Sequence, residues 1–374
     1  MASKKPQPRG KSRLFTIVSL LGAIFSSGGV GAYFNPDWPV IGPLVEKLSQ
    51  RQTSATSEGE LGSGKLVEAW RELTAGNEAT PAPIETQSRA DAVPAQPASA
   101  RRPGETLLIA TFNIQVFGKS KLSKPGVLDV LAQAVRHFDV VAIQEVRASE
   151  DDILPRFIEA INADGSRYDF LIGPRLGRTV STEQYAFVYD TATVACDTAA
   201  AGTIADPADL LHREPFEAHF RARTQPQARE FSFWLVNTHT DPDEVKQEVD
   251  ALADVFQFMR TADPREDDVI LLGDLNASES QLGRLGQIPG ITWAVSGAMT
   301  NTRRNKAYDN ILFDRPATSE YTGRWGVFDL ESTFGLTREQ ALQVSDHLPV
   351  WAEFHRAEAT SRNDIADRDP GVQR

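Results

Sequence analysis

The chain has 374 residues, 41% hydrophobic and 24% charged, which is ordinary globular material for one large domain or two of average size. A formal net charge of -12 excludes a broad basic surface as the means of holding nucleic acid. It does not exclude an enzyme with a few local arginines, because a metal site brings its own positive charge.

The one cysteine, Cys196, can form no internal disulfide and reads as a core residue. Lys4, Lys5, Arg9, Lys11 and Arg13 precede the stretch from Leu14 to Phe34, which carries no charge. Roughly 20 such residues can cross a bilayer, and a basic flank in front leaves the remainder of the chain outside the cytoplasm. The apolar part, Leu14 to Phe25, also has the length of a signal-peptide core. No A-x-A cleavage site follows it, and Gly28, Gly29 and Gly31 weaken a helix. Residues 1–34 are therefore a basic flank plus membrane anchor or signal segment. The protein is then membrane-anchored outside the cytoplasm, or secreted or periplasmic after cleavage. Residues 35–105 are rich in Ala, Pro, Ser, Thr, Gly and Glu and predict a largely disordered linker. Residues 106–357 carry the globular domain, and residues 358–374 read as a disordered tail.

Within the domain, Leu107 to Asn113 is a strand, Leu128 to Phe138 a helix and Asp139 to Glu145 a second strand. A helix follows over Ile153 to Ile161, then strands over Tyr185 to Tyr189 and Phe231 to Thr238. A long helix covers Glu244 to Met259, and Val269 to Leu272 is continuously apolar, as a strand covered on both faces would be. Asn310 to Phe313 and Leu348 to Phe354 complete the set. Helices between some strands and short links between others predict an α/β domain with mixed sheets.

Polar residues recur where these strands end: Asn113, Glu145, His239, Asp274, Asn276, Asp309, Asp346 and His347. Such ends are where α/β folds place ligands. Asp274 and Asn276 sit two apart and project to one side of an extended chain after Gly273. Glu145 follows an apolar run, where a lone carboxylate is costly unless it pairs with Arg147 or binds metal. The oxygen ligands Asn113, Glu145 and Asp346, without thiolate or HExxH spacing, favour Mg²⁺, with Mn²⁺ or Ca²⁺ as alternatives, over zinc. His239 and His347 could each pass a proton near neutral pH if oriented by a carboxylate, and Glu183 and Asp309 are available. The other histidines, His137, His212, His219 and His355, read as surface or structural.

These residues carry a resemblance. The segments TFNIQVFG from Thr111, VAIQEVRAS from Val141, LGR…EQYAF from Leu176, HREPF from His212, VNTHTDP from Val236, LLGDLNA from Leu271, AYDNI from Ala307 and SDHLPV from Ser345 resemble the endonuclease/exonuclease/phosphatase superfamily, in its deoxyribonuclease I-like branch. The resemblance implies a four-layer α/β sandwich of two packed mixed β-sheets flanked by helices. It also implies a catalytic domain over 106–357 that hydrolyses phosphodiesters with a divalent metal, most simply as a DNA endonuclease. The alternative within the superfamily is a phosphatase or a phospholipase/sphingomyelinase-like enzyme acting on a lipid or sugar phosphate. By motif position, Asn113, Glu145 and Asp346 resemble metal-binding residues. Asp274 and Asn276 resemble those that orient water and phosphate, and His239–Glu183 and His347–Asp309 the acid/base pairs. Arg147, Arg213 and Arg178 resemble substrate contacts. The expected partners are DNA and, through the N-terminal segment, a membrane.

Overall fold

Continuous apolar runs bounded by polar residues give twelve strands among the residues described by the computed structural model, which are 104–148, 150–178, 182–224 and 230–358. The expected anchor or signal segment, nearly all of the linker and the tail beyond residue 358 lie outside them. Among the described residues no helix is long and apolar enough to cross a membrane.

The first sheet is centred on β1 (Thr106–Phe117) and β2 (Val140–Val146), which pair in parallel. β12 (Val350–His355) and then β11 (Tyr321–Val327) extend it beyond β1, and β4 (Gln184–Asp190) and β3 (Tyr168–Ile172) beyond β2, all antiparallel. The second sheet repeats the plan. β7 (Ser232–His239) lies parallel to β8 (Val269–Asp274), flanked by β6 (Phe216–Ala222) and β5 (Val194–Thr203) on one side and by β10 (Asp309–Asp314) and β9 (Ile291–Trp293) on the other.

The side-chain period of two sorts each apolar strand into two cores. Leu107 and Ile109 of β1 meet Ile270 and Leu272 of β8 and Phe313 of β10 between the sheets. Ala110 and Phe112 face the other way, toward Leu131 and Val135 of α2 (Val127–Val135) and Phe157 of α3 (Ile153–Asn162). On the far side, Trp234, Val236 and Leu271 pack against Val249, Leu252 and Phe256 of α4 (Val245–Ala262). The order is therefore helix, sheet, sheet, helix: the four-layer α/β sandwich expected from sequence.

Three short helices deliver the loops of one edge. α1 (Lys119–Leu122) follows β1, and its Lys121 ammonium caps α6 (Arg338–Val344) by donating to the Val344 carbonyl at 2.7 Å. α5 (Leu330–Phe334) begins at Asp329, which accepts from the Glu331 and Ser332 amides, and stops at Gly335 with φ 65. Thr337 and Gln340 then form a capping box that starts α6. The chain leaves α6 at Ser345 and delivers Asp346 and His347 to the site.

One polar lock interrupts the inter-sheet core. Gln144 Nε2 donates to Thr111 Oγ1 at 2.8 Å and to Asn237 Oδ1 at 2.6 Å, and Asn237 Nδ2 donates to the carbonyls of Ile143 and Ala186, each at 3.1 Å. Gln144 and Asn237 are fully buried. An Asn237→Leu substitution leaves the partners of that amide unsatisfied and is expected to cost about 3 kcal/mol in urea unfolding. A cost below about 1 kcal/mol would show that the lock contributes little.

Candidate active site

Strand register assembles the site. In the parallel β7–β8 ladder His239 is opposite Asp274, and in the antiparallel β8–β10 ladder Asp309 is opposite Asp274. Three functional groups thus share one row at the edge of the second sheet. Gly273 makes the row possible. Its φ is +153, and a Cβ there would lie 1.8 Å from the Thr238 carbonyl oxygen, so only glycine lets β7 and β8 close up beside His239. In the first sheet Asn113 is opposite Gln144, which brings Glu145 alongside. Glu145 at φ 61, Val116 at φ 53 and Asn276 at φ 46 hold left-handed backbone that L-residues avoid, a strain that collects at functional sites.

The two imidazoles face one carboxylate. Nε2 of His239 and Nε2 of His347 each lie 3.5 Å from Asp274 Oδ2. The opposite nitrogen of each ring is held by its own acid: His239 Nδ1 lies 2.7 Å from Glu183 Oε1, and His347 Nδ1 lies 3.0 Å from Asp309 Oδ2. Thr300 donates its hydroxyl to Asp309 at 2.6 Å, and the Tyr308 ring lies over His347 with centroids 5.7 Å apart. Asn113 Nδ2 bridges the sheets, donating to Asp274 Oδ2 at 3.0 Å and to Glu145 Oε1 at 3.2 Å. Asn276 fixes its loop: its amide nitrogen donates to Asp274 Oδ1 at 2.9 Å, and its side chain donates to the Thr240 carbonyl at 2.9 Å.

Burial opposes charge on His239, but Glu183 and Asp274 outweigh it and raise the pKa. Burial likewise opposes charge on His347, and Asp309 and Asp274 raise it well above the ordinary value. Burial and Asp274 push Asp309 up, yet the proton of that pair belongs on the imidazole, because Asp309 already accepts from Thr300. Glu183 is held down at about 2: burial raises it, and His239, Arg213 and Arg147 override the burial. A depressed carboxylate adds stability above its unfolded value of 4.5 and loses it as pH falls toward 2. For Glu183 that is on the order of 3 kcal/mol. Glu183→Gln should therefore unfold earlier in urea at pH 7, and the gap to wild type should close between pH 4.5 and 2. A gap that stays constant with pH would refute this assignment.

The three predicted substrate arginines sit differently. Arg147 is partly exposed between Glu145 at 3.3 Å and Glu183 at 3.1 Å, so the ion pair weighed for Glu145 exists. Arg213 is buried, its Nε 3.1 Å from Glu183 Oε1 and 3.2 Å from the His239 carbonyl. Arg178 is exposed and pairs with Asp209 at 3.1 Å and Glu244 at 3.0 Å.

A hard divalent cation fits the Glu145 side of the cleft. The donors there are carboxylate and carboxamide oxygens, and Asp346 Oδ1 is buried without a hydrogen-bond partner. Asp346 neighbours Asn113 through Ser345, whose hydroxyl donates to the Asn113 carbonyl at 2.7 Å. Glu145 Oε2 accepts the Val116 amide at 2.8 Å, which aims the carboxylate. Asp274, Asp309 and His347 also bring ligand atoms within 4.8 Å of one another. Their mutual hydrogen bonding makes them a proton relay in the first place.

Several supporting residues escaped sequence reasoning. The Tyr185 hydroxyl accepts the His239 amide at 2.9 Å. Glu248 on α4 accepts the His212 amide at 2.6 Å and the Asp241 amide at 2.9 Å, tying down the loops beside Arg213 and His239. Thr300 supports Asp309, and Lys121 lies close enough to Asp346 and Glu145 for both to act on its charge. Glu248 reads in sequence as one more charge on an amphipathic helix, so nothing local marks it.

Residues 110–347 match the model of the Endonuclease/Exonuclease/phosphatase family. The chain is 30% identical over 282 residues to deoxyribonuclease gamma of Rattus norvegicus, across 70% of this chain and 89% of that relative. It is 34% identical over 265 residues to deoxyribonuclease-1-like 1 of Sus scrofa, across 68% of this chain and 82% of that one. With the matched region spanning every strand end that builds the site, the chain belongs to the endonuclease/exonuclease/phosphatase family.

Proposed function

We propose that the chain is a divalent-metal-dependent phosphodiester hydrolase that cleaves DNA as an endonuclease. The observation that carries this reading is the pair of histidines whose Nε2 atoms flank Asp274 Oδ2 at 3.5 Å, each backed by its own acid. One imidazole takes the proton of the attacking water and the other gives one to the leaving oxygen. Asp274, between them, aims the water along the line of the breaking bond, and Asn276 with Asn113 holds the phosphate. Arg147 and Arg178 meet the charged backbone of the substrate, while Arg213 braces Glu183 behind His239. A divalent ion at Glu145 and Asp346, Mg²⁺ in our reading, would supply positive charge against the phosphate oxygens.

DNA as substrate is supported by the deoxyribonuclease names of the relatives. The basic flank and uncharged run before Phe34 support a catalytic domain outside the cytoplasm, anchored or released. Protein stripped with EDTA and titrated with MgCl₂ should convert supercoiled plasmid to nicked circles before linear DNA appears. Glu145→Gln should need at least about 10-fold more Mg²⁺. Equal cleavage in EDTA, or an unchanged Mg²⁺ midpoint for Glu145→Gln, would overturn the metal assignment.

A further inference from the structure

The end of the sandwich remote from the histidines gathers a second set of acids. Asp268 immediately precedes β8, so the whole strand separates it from Asp274. Glu320 immediately precedes β11, and Glu358 lies just beyond the end of β12. One oxygen from each of Asp268, Glu320 and Glu358 lies within 4.8 Å of the others. Glu266 adjoins them, accepting the Asp268 amide at 3.1 Å. The three carboxylates thus come from both sheets: Glu320 and Glu358 from the first, Asp268 from the second.

Burial separates this set from an ordinary acidic rim. Asp268 is 2% exposed, and its Oδ1 is enclosed without a hydrogen-bond partner. The Thr318 hydroxyl close by is likewise enclosed and outside hydrogen-bonding geometry. Basic groups of the neighbourhood are committed elsewhere. His219 pairs with Glu266 at 3.2 Å, Arg356 donates to the Thr106 carbonyl at 2.9 Å and pairs with Asp139 at 3.4 Å, and Arg315 donates to the Thr318 carbonyl at 3.1 Å. Burial pushes Asp268 up to about 9, with Glu320, Glu358 and Glu266 adding to the rise. Burial and Glu320 push Glu358 up to about 7. Clustered acids without a cation repel one another, and a cation removes both the repulsion and the desolvation cost.

We propose that Asp268, Glu320 and Glu358 hold a second divalent cation, of the calcium class, that ties the two sheets together away from the active site. The donors are all oxygen, which excludes a preference for soft metals. Carboxylates arriving from three separate segments suit the large, irregular shell of Ca²⁺ better than the strict octahedron and retained waters of Mg²⁺. An ion bound only by the folded chain stabilises it by mass action.

The test uses the full chain with Glu145→Gln, so that calcium at the active site contributes little. From EDTA to millimolar CaCl₂ its melting temperature should rise by at least about 3 °C. Adding Asp268→Asn should abolish most of that rise while leaving the melting temperature in EDTA no lower, because a buried charge is gone. Adding Glu358→Gln, at a half-buried position, should move the calcium midpoint up about 10-fold. No rise in the parent, or the same rise and midpoint in both variants, overturns the proposal. If Asp268→Asn does not fold, the Glu358→Gln midpoint decides.

Discussion

His347→Ala lowers kcat for phosphodiester cleavage about 1,000-fold and leaves KM nearly unchanged, because the imidazole acts on a proton in the transition state rather than on the bound ground state. His239→Ala has an effect of the same order. The two rings serve one transition state around one carboxylate, Asp274. The double variant should therefore lose little more than the worse single one, since groups that act as a unit are not additive. Asp309→Asn should lose a smaller factor, about 10- to 100-fold, because the ring stays but its orientation and charge are no longer held. Single-turnover rates on a plasmid substrate measure all four. Losses that multiply in the double variant would mean the histidines work in separate steps.

Gly273→Ala is the second large effect, and it acts on the fold. The added methyl would stand 1.8 Å from the Thr238 carbonyl oxygen, which is backbone inside a parallel ladder and cannot swing aside. The φ of +153 adds strain for any L-residue. The two together should cost about 4 kcal/mol or more, enough to lower the melting temperature by about 10 °C. What survives folded should cleave poorly, because separating β7 from β8 moves His239 away from Asp274. A variant that melts like wild type would show that the ladder relaxes freely at this point.

The same glycine shows how far the sequence could be read. Leu271-Leu272-Gly273-Asp274-Leu275-Asn276 is legible as a buried strand ending in oxygen ligands, and the reason for the glycine is legible only once Thr238 is seen beside it. The strands that line the cores were found because they are continuously apolar. β5, with exposed alanines and threonines, and β11, with Gly323 and Gly326, lack that signal and were missed. β6 did carry one: Phe216, Ala218, Phe220 and Ala222 alternate inward, as period-two reasoning demands.

Of the site, both histidines, both of their acids and Asp274 converge as their placement at strand ends suggests. The arginines were less legible, since a charged side chain does not announce whether it turns outward or inward. Arg213 goes inward to Glu183, and Arg178 is engaged by Asp209 and Glu244. The acidic cluster at Asp268 was invisible because its members lie far apart in the chain and are joined only when β8, β11 and β12 come together.

The chemistry of the pair also separates the substrate classes open to the family. A relay of two imidazoles needs a leaving oxygen to protonate in any phosphate ester. The surroundings of Arg147, partly exposed beside Glu145 and Glu183, suit an extended anionic backbone better than a small headgroup. The measurement that bears most directly on this account compares two substrates with one preparation. Purified protein in Mg²⁺ is given supercoiled plasmid in one reaction and phospholipid vesicles in the other, each beside Asp274→Ala and His347→Ala controls. The account predicts nicked plasmid from wild type, almost none from either variant, and no phosphate or phosphorylated headgroup released from the vesicles. Intact plasmid together with headgroup release that depends on His347 would contradict it.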